Sequence, residues 1–238
     1  MLTAILSAEV WRLSTELDDR IFINSVYRLY ACIRRKAKTF AVGHLGFGYV
    51  ASKLTAQAAK VKMNVPIVLT LSVIPDIDIL IPYVEHRGPF HSLIMAVIVF
   101  IPLFALYGKT ASPYFAALIQ HSIIGDYIAG YGVQLLWPFT SRYFGIETSI
   151  RSPTNITLEW SIFLVAAVTM LKTKDTHVLL QPHNSNLILA IPTFTVLLPT
   201  FLAFPLEVPI ALIPPHIICL TLFLTSLLID IKKIVNQP

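Results

Sequence analysis

Charge is what this chain most lacks. Asp, Glu, Lys and Arg together make up 13% of its 238 residues, about half the roughly 25% usual for a soluble domain. With 55% hydrophobic residues and a mean hydropathy of +0.72, the deficit excludes a water-soluble globule. Cysteine is nearly absent as well. Cys32 and Cys219 stand far apart, so neither a disulfide framework nor a C-x-x-C zinc site is available. The formal charge of +5 is spread over terminal and loop positions, without the basic, aromatic-interleaved stripe that reads nucleic acid. Membrane lipids are the expected partner and nucleic acid is not. No convincing inverted repeat is visible, which argues against a transporter built on paired broken helices. No basic n-region opens the chain, which argues against a signal peptide.

Long apolar stretches are what the sequence has in quantity. About 20 such residues cross a hydrocarbon core, and residues 40–59, 66–84, 90–107, 114–137, 156–171, 187–204 and 210–231 qualify as candidates, the first being the weakest. The expected architecture is all-α, a polytopic transmembrane bundle of six to seven segments. Residues 1–39 differ, with seven Lys/Arg, four Asp/Glu and Leu6, Val10, Leu13 and Leu17 at helical spacing. They read as an amphipathic extension. The motif-bearing membrane region covers 40–140, and 141–238 supplies the remaining segments.

Within these stretches sit Asp76, Asp78, His86, His91, His121 and Asp126. An Asp near a membrane helix centre costs roughly 2.5–3.5 kcal/mol, so three of them need partners, water or a cation. A divalent metal would compensate them. Pro75-Asp76-Ile77-Asp78 offers two hard oxygen donors on a backbone that the proline loosens. In His86-Arg87-Gly88-Pro89-Phe90-His91-Ser92, the Gly-Pro turn feeds a helix start and places His91 in the first turn. Arg87 there is suited to an anion, and the two imidazoles to metal ligation or proton transfer. A spacing of five puts His121 and Asp126 about 140° apart on a regular helix. Both face one ion only if the helix bulges, for which Gly125 marks the point; otherwise Asp126 orients an imidazole. His44, between Gly43 and Gly46, can reach the same place from the first segment.

Alternating segment direction brings the start of the first, the end of the second, the start of the third and the end of the fourth to one membrane face, and with them this cluster. Omitting residues 1–39, eight Lys fall on the opposite side against three Arg on the site side, so the positive-inside rule turns the site away from the cytoplasm. If the first segment spans, the seven basic residues before it reverse that count.

Gly43-His44-Leu45, the P-D-x-D, the H-R-G-x-x-H-S element, and the run from His121 to Leu135-Leu136-Trp137-Pro138 together resemble the membrane-bound metal-dependent hydrolase family of the YdjM type, over about residues 40–140. The resemblance implies a multi-span protein with a metal-dependent hydrolase site. His44, Asp76, Asp78, His86, His91, His121 and Asp126 are its expected metal ligands, with His86, Arg87 and His91 as the catalytic groups. The expected cofactor is a divalent metal ion, zinc ahead of manganese or magnesium. The substrate is expected to be a small molecule or lipid-linked, a phosphoester for instance. The sequence departs from the family in its fourth segment, where four residues, not the usual three, separate His121 from Asp126. Transport of a metal or protons, or a metal-stabilised interaction without turnover, are the competing functions.

Overall fold

The computed structural model describes residues 40–81, 83–202 and 208–235; the expected extension 1–39 lies outside them. Among the described residues the chain is mostly helical and has no β-strand, only the isolated bridges Ala129–Thr148 and Val133–Phe144.

Helix α1 (Ala41–Ala59) is the central element. Its first half is buried, and Ala41, Leu45 and Tyr49 join a core with residues of five later helices. Glycines let α5 (Pro153–Lys172) come close to it: a Cβ on Gly46 would stand 3.2 Å from Ile162. No residue of its own sequence caps α1, since Phe40 at the N-cap has no oxygen to offer. The side chain of Glu159 on α5 accepts a hydrogen bond from the Gly43 amide instead, meeting one of the four orphan N–H groups of a helix start.

The expected 66–84 span is not one helix. Helix α2 covers only Val65–Leu71, capped by Asn64, and a 3-10 turn follows over Ile74–Leu80. Pro75 explains the break: it has no N–H for an α-helical bond, and it disfavours the α conformation at Ile74. A second 3-10 turn, Pro89–His91, leads into α3 (Leu93–Tyr107), whose N-cap Ser92 accepts from the Met95 amide.

Gly108, at φ +55°, ends α3 and lets the chain fold back into α4 (Ser112–Gln120). The rings of Phe100 and Phe115 lie 4.8 Å apart, whereas a continuous helix would separate residues 15 apart by about 22 Å. After α4 comes a π-helical turn, His121–Asp126. The expected segment 114–137 therefore loses its helix near Asp126, and the following loop contains Gly130 and Gly132 at positive φ. Helices α5, α6 (Asp175–Leu179), α7 (the mixed helical run Asn184–Leu202) and α8 (Ile213–Val235) complete the bundle.

Four helical runs are long and apolar enough, by length and composition, to cross a membrane: Leu93–Asp126, which doubles back at Gly108, Pro153–Lys172, Asn184–Leu202 and Ile210–Val235. Their outer faces expose Ile101, Phe104 and Leu106, Leu164 and Leu171, and Leu228. Apolar surface on this scale is unstable in water and ordinary against lipid.

At the far end of α1, Asp175 Oδ2 takes hydrogen bonds from Lys53 (2.5 Å), Tyr49 (2.6 Å) and Thr173 (2.8 Å). Burial acts to raise the Asp175 carboxyl, but these three donors outweigh it and hold the group below the usual range. A depressed carboxyl stabilises the fold above about pH 4 and loses that contribution as pH falls through its folded value. Asp175→Asn should cost about 1.5–3 kcal/mol at pH 7, the worth of hydrogen bonds to a charged group. Thermal melts of both chains should converge as the pH is taken below 4; an unchanged melt at pH 7 would show that the network does not tie α1 to α6.

Candidate metal centre

The broken second segment, the Pro89–His91 turn and the π-turn after α4 meet beside the start of α1. They carry Asp76, His91, His121 and Asp126 to one point, each with 0% exposure. His91 Nε2 lies 3.3 Å from Asp76 Oδ1 and 3.3 Å from Asp126 Oδ2. His121 Nε2 lies 3.4 Å from each of the same two oxygens. These separations are long for charge-assisted hydrogen bonds, which run to about 2.7–2.9 Å. They lie close to the separation of about 3.3–3.4 Å between neighbouring donors held about 2.0–2.1 Å from one ion, and three trios here, His91–His121–Asp126, Asp76–His86–His91 and His44–Asp76–His121, each bring ligand atoms within 4.8 Å of one another.

The outer nitrogens of both imidazoles are turned away from this point. His121 Nδ1 donates to the Ser72 carbonyl at 2.7 Å, which leaves Nε2 with its lone pair facing inward. His91 Nδ1 faces Asp78 Oδ2 at 3.3 Å, and Asp78 Oδ1 in turn meets His86 Nδ1 at 2.9 Å. The two carboxylates of the D-x-D thus bracket one imidazole: Asp76 is on its inner nitrogen and Asp78 on its outer one. Hydrogen-bonded carbonyls and carboxylates in this position fix the tautomer of metal-binding histidines.

Asp126 is held from its other oxygen. Its Oδ1 lies 3.1 Å from the Arg87 guanidinium and 3.6 Å from His44 Nε2, and the His44 ring stacks on His121 at 3.9 Å. The sequence reading gave Arg87 a substrate anion to clamp. In the structure Arg87 is 1% exposed, and the anion it holds is the Asp126 carboxylate of its own chain.

The π-turn settles the spacing of His121 and Asp126. An i→i+5 turn returns residues five apart to the same face, so the extra residue between them is absorbed within one turn. Gly125 clears the space for His44, because a Cβ there would stand 2.3 Å from its ring. All seven expected ligands converge on this cluster.

Sequence reasoning missed the loop that braces it. The Gln134 amide donates to the Arg87 carbonyl, the Leu93 amide to the Leu135 carbonyl, and the Tyr131 hydroxyl to the His86 carbonyl. The Arg87 guanidinium also donates to the Ala129 carbonyl. Arg87 itself sits at φ +63°, a conformation costing a non-glycine residue roughly 1–2 kcal/mol and held where surroundings over-determine it. Gly130 is needed opposite, since a Cβ there would collide with Arg87. The L-L-W-P motif was the available signal for this bracing, but nothing in it names the turn it holds.

The charge balance of the cluster is as informative as its distances. Asp76, Asp78 and Asp126 face one permanent cation, Arg87, and with neutral imidazoles two negative charges remain uncompensated. Buried charge of that size needs compensation, which protonation of the imidazoles facing these carboxylates, or a divalent cation, would supply. His121 Nε2, Asp76 Oδ2 and both Asp126 oxygens have no hydrogen-bond partner among the described residues.

Fold and site together define a helical membrane protein with a buried histidine–carboxylate centre. A family model, YdjM inner membrane protein, matches residues 40–206, and the chain belongs to that family. The match runs well beyond the motifs at 40–140. No curated protein and no solved structure matches the chain.

Proposed function

We propose that the chain is a membrane-embedded, metal-dependent hydrolase acting on a phosphoester or lipid-linked substrate. The observation that carries this reading is the set of four His–Asp separations of 3.3–3.4 Å among His91, His121, Asp76 and Asp126. Those four residues would hold one divalent ion through two nitrogens and two oxygens, a donor set that suits zinc better than magnesium, with a fifth position opening to water during the reaction. An ion held there would supply a water nucleophile near neutral pH and polarisation of the scissile bond.

The remaining cluster residues act through these four. Asp78 orients His91 and holds His86, which is the available proton carrier outside the ligand set. Arg87 and His44 fix Asp126, so their contribution is positioning. The reading keeps a bundle of six or seven membrane segments, with the site near the face turned away from the cytoplasm.

The test is a panel of phosphomonoesters, phosphodiesters and phospholipids offered to the zinc-loaded protein and to Asp76→Asn. Turnover by the unaltered chain and its loss in the variant is the expected result. Metal binding with no turnover on any substrate would favour a metal-stabilised interaction protein. Metal flux into proteoliposomes would favour transport.

A further inference from the structure

A groove of about 220 Å³ runs between α1, α5 and α8. No charged residue lines it, and the hydroxyl of Tyr49, on its wall, already donates to Asp175. An apolar cavity of roughly 150 Å³ stays dry and takes up apolar molecules, so a larger one with this lining is no place for water. It is not sealed. Leu171 and Ile218, which line it, are 67% and 53% exposed and lie on the outer surface of two of the four apolar runs, so the groove is continuous with the surface that meets lipid. Left empty, it would forfeit dispersion contacts along its whole wall.

The length of the groove and the charge at its end restrict the occupant. Along α5 the lining extends from Phe163 to Leu171, a rise of about 12 Å, close to the roughly 15 Å of hydrocarbon in one leaflet. A single acyl chain fits that depth. Directly beyond Leu171 stand Lys172 and Lys174, both exposed, and the carboxylate next to them, Asp175, is taken up by Lys53. This end therefore carries positive charge, which suits an anionic headgroup. Leu45 and Tyr49 turn to the groove while His44 joins the metal cluster, so α1 stands between the two places.

We propose that the groove binds one anionic phospholipid of the surrounding bilayer, with an acyl chain between α1, α5 and α8 and the phosphate at Lys172 and Lys174. Ala166 and Ala167 on its α5 wall leave the room that the chain takes. The inference does not depend on the hydrolase reading, because α1 separates this lipid from the metal centre.

Native mass spectrometry of the full chain in dodecyl maltoside, titrated with dioleoyl phosphatidylglycerol or dioleoyl phosphatidylcholine, tests it. One phosphatidylglycerol should bind about 30-fold more tightly than phosphatidylcholine, the combined effect of two lysines near an anionic headgroup. Replacing both, Lys172→Gln with Lys174→Gln, should abolish that preference. Ala167→Phe, which fills the groove, should weaken binding of the first lipid about tenfold, the scale of overpacking a filled space. Val168→Phe adds the same ring one position along, where the side chain is 49% exposed and outside the groove, and should change nothing. Ala167→Leu should give a smaller loss and guards against misfolding of the phenylalanine variant. Equal binding of the two lipids, binding of neither, or the same loss in Ala167→Phe and Val168→Phe would overturn the proposal. A dimer in place of the lipid adduct, lost in Ala167→Phe, would also overturn it and assign the groove to a second copy of the chain.

Discussion

Zinc should bind His91→Ala roughly 100- to 1,000-fold more weakly than the unaltered chain. The magnitude follows from apparent binding free energies of about 10–16 kcal/mol for four-ligand zinc sites, or about 2.5–4 kcal/mol per ligand. His91 is the most informative position because its two nitrogens face different partners, Asp76 and Asp126 inward and Asp78 outward. Asp78→Asn removes only the outer contact and should cost about 10- to 100-fold, as expected of a group that orients a ligand. Competition against a chromophoric chelator in detergent measures both. A larger loss in Asp78→Asn than in His91→Ala would mean that the ion sits on the other side of the imidazole.

Deleting Ile123 should leave the metal centre assembled. In an ordinary helix, removing one residue turns everything beyond it by about 100° and shifts it by about 1.5 Å. The π-turn His121–Asp126 holds one residue more than an α-turn needs. Its removal converts an i→i+5 spacing into i→i+4, which also places both side chains on one face. Ile123 is the residue to delete because it is exposed, whereas Ser122 and Asp126 are buried. Zinc affinity should stay within about tenfold of the unaltered chain, a margin comparable to disturbing an orienting contact. Deleting Leu118 in regular α4 should abolish binding, since no bulge there takes up the change. Comparable loss in both deletions would show that the π-turn does more than absorb an extra residue.

The same turn shows where the sequence stopped being readable. Convergence of His44, Asp76, Asp78, His86, His91, His121 and Asp126 was legible because alternating apolar segments leave few topologies, and isolated acids in such segments demand a common partner. The pairing of His121 with Asp126 was legible only as a condition, since helical periodicity assumes a pitch that a π-turn does not keep. The division of labour in Asp76-Ile77-Asp78 was hidden for a similar reason: a 3-10 backbone sends neighbouring carboxylates to opposite edges of one ring, and no spacing rule anticipates the ring. Arg87 was misread because motif logic supplies a cation with an external anion, while Asp126, 39 residues away, reaches it only through the fold. Glu159 lies outside every motif and matters because Gly43 leaves room for it, a contact between helices more than a hundred residues apart. Pro75 did mark the end of regular helix, although the apolar count over 66–84 carried no sign that α2 would stop at Leu71.

X-ray absorption of the zinc-loaded chain in detergent is the most direct measurement. Four nitrogen or oxygen neighbours at about 2.0–2.1 Å, with the outer-sphere scattering of two imidazoles, are the predicted result. A six-oxygen shell, a sulfur neighbour, or a spectrum with no imidazole contribution would contradict a centre made by Asp76, His91, His121 and Asp126.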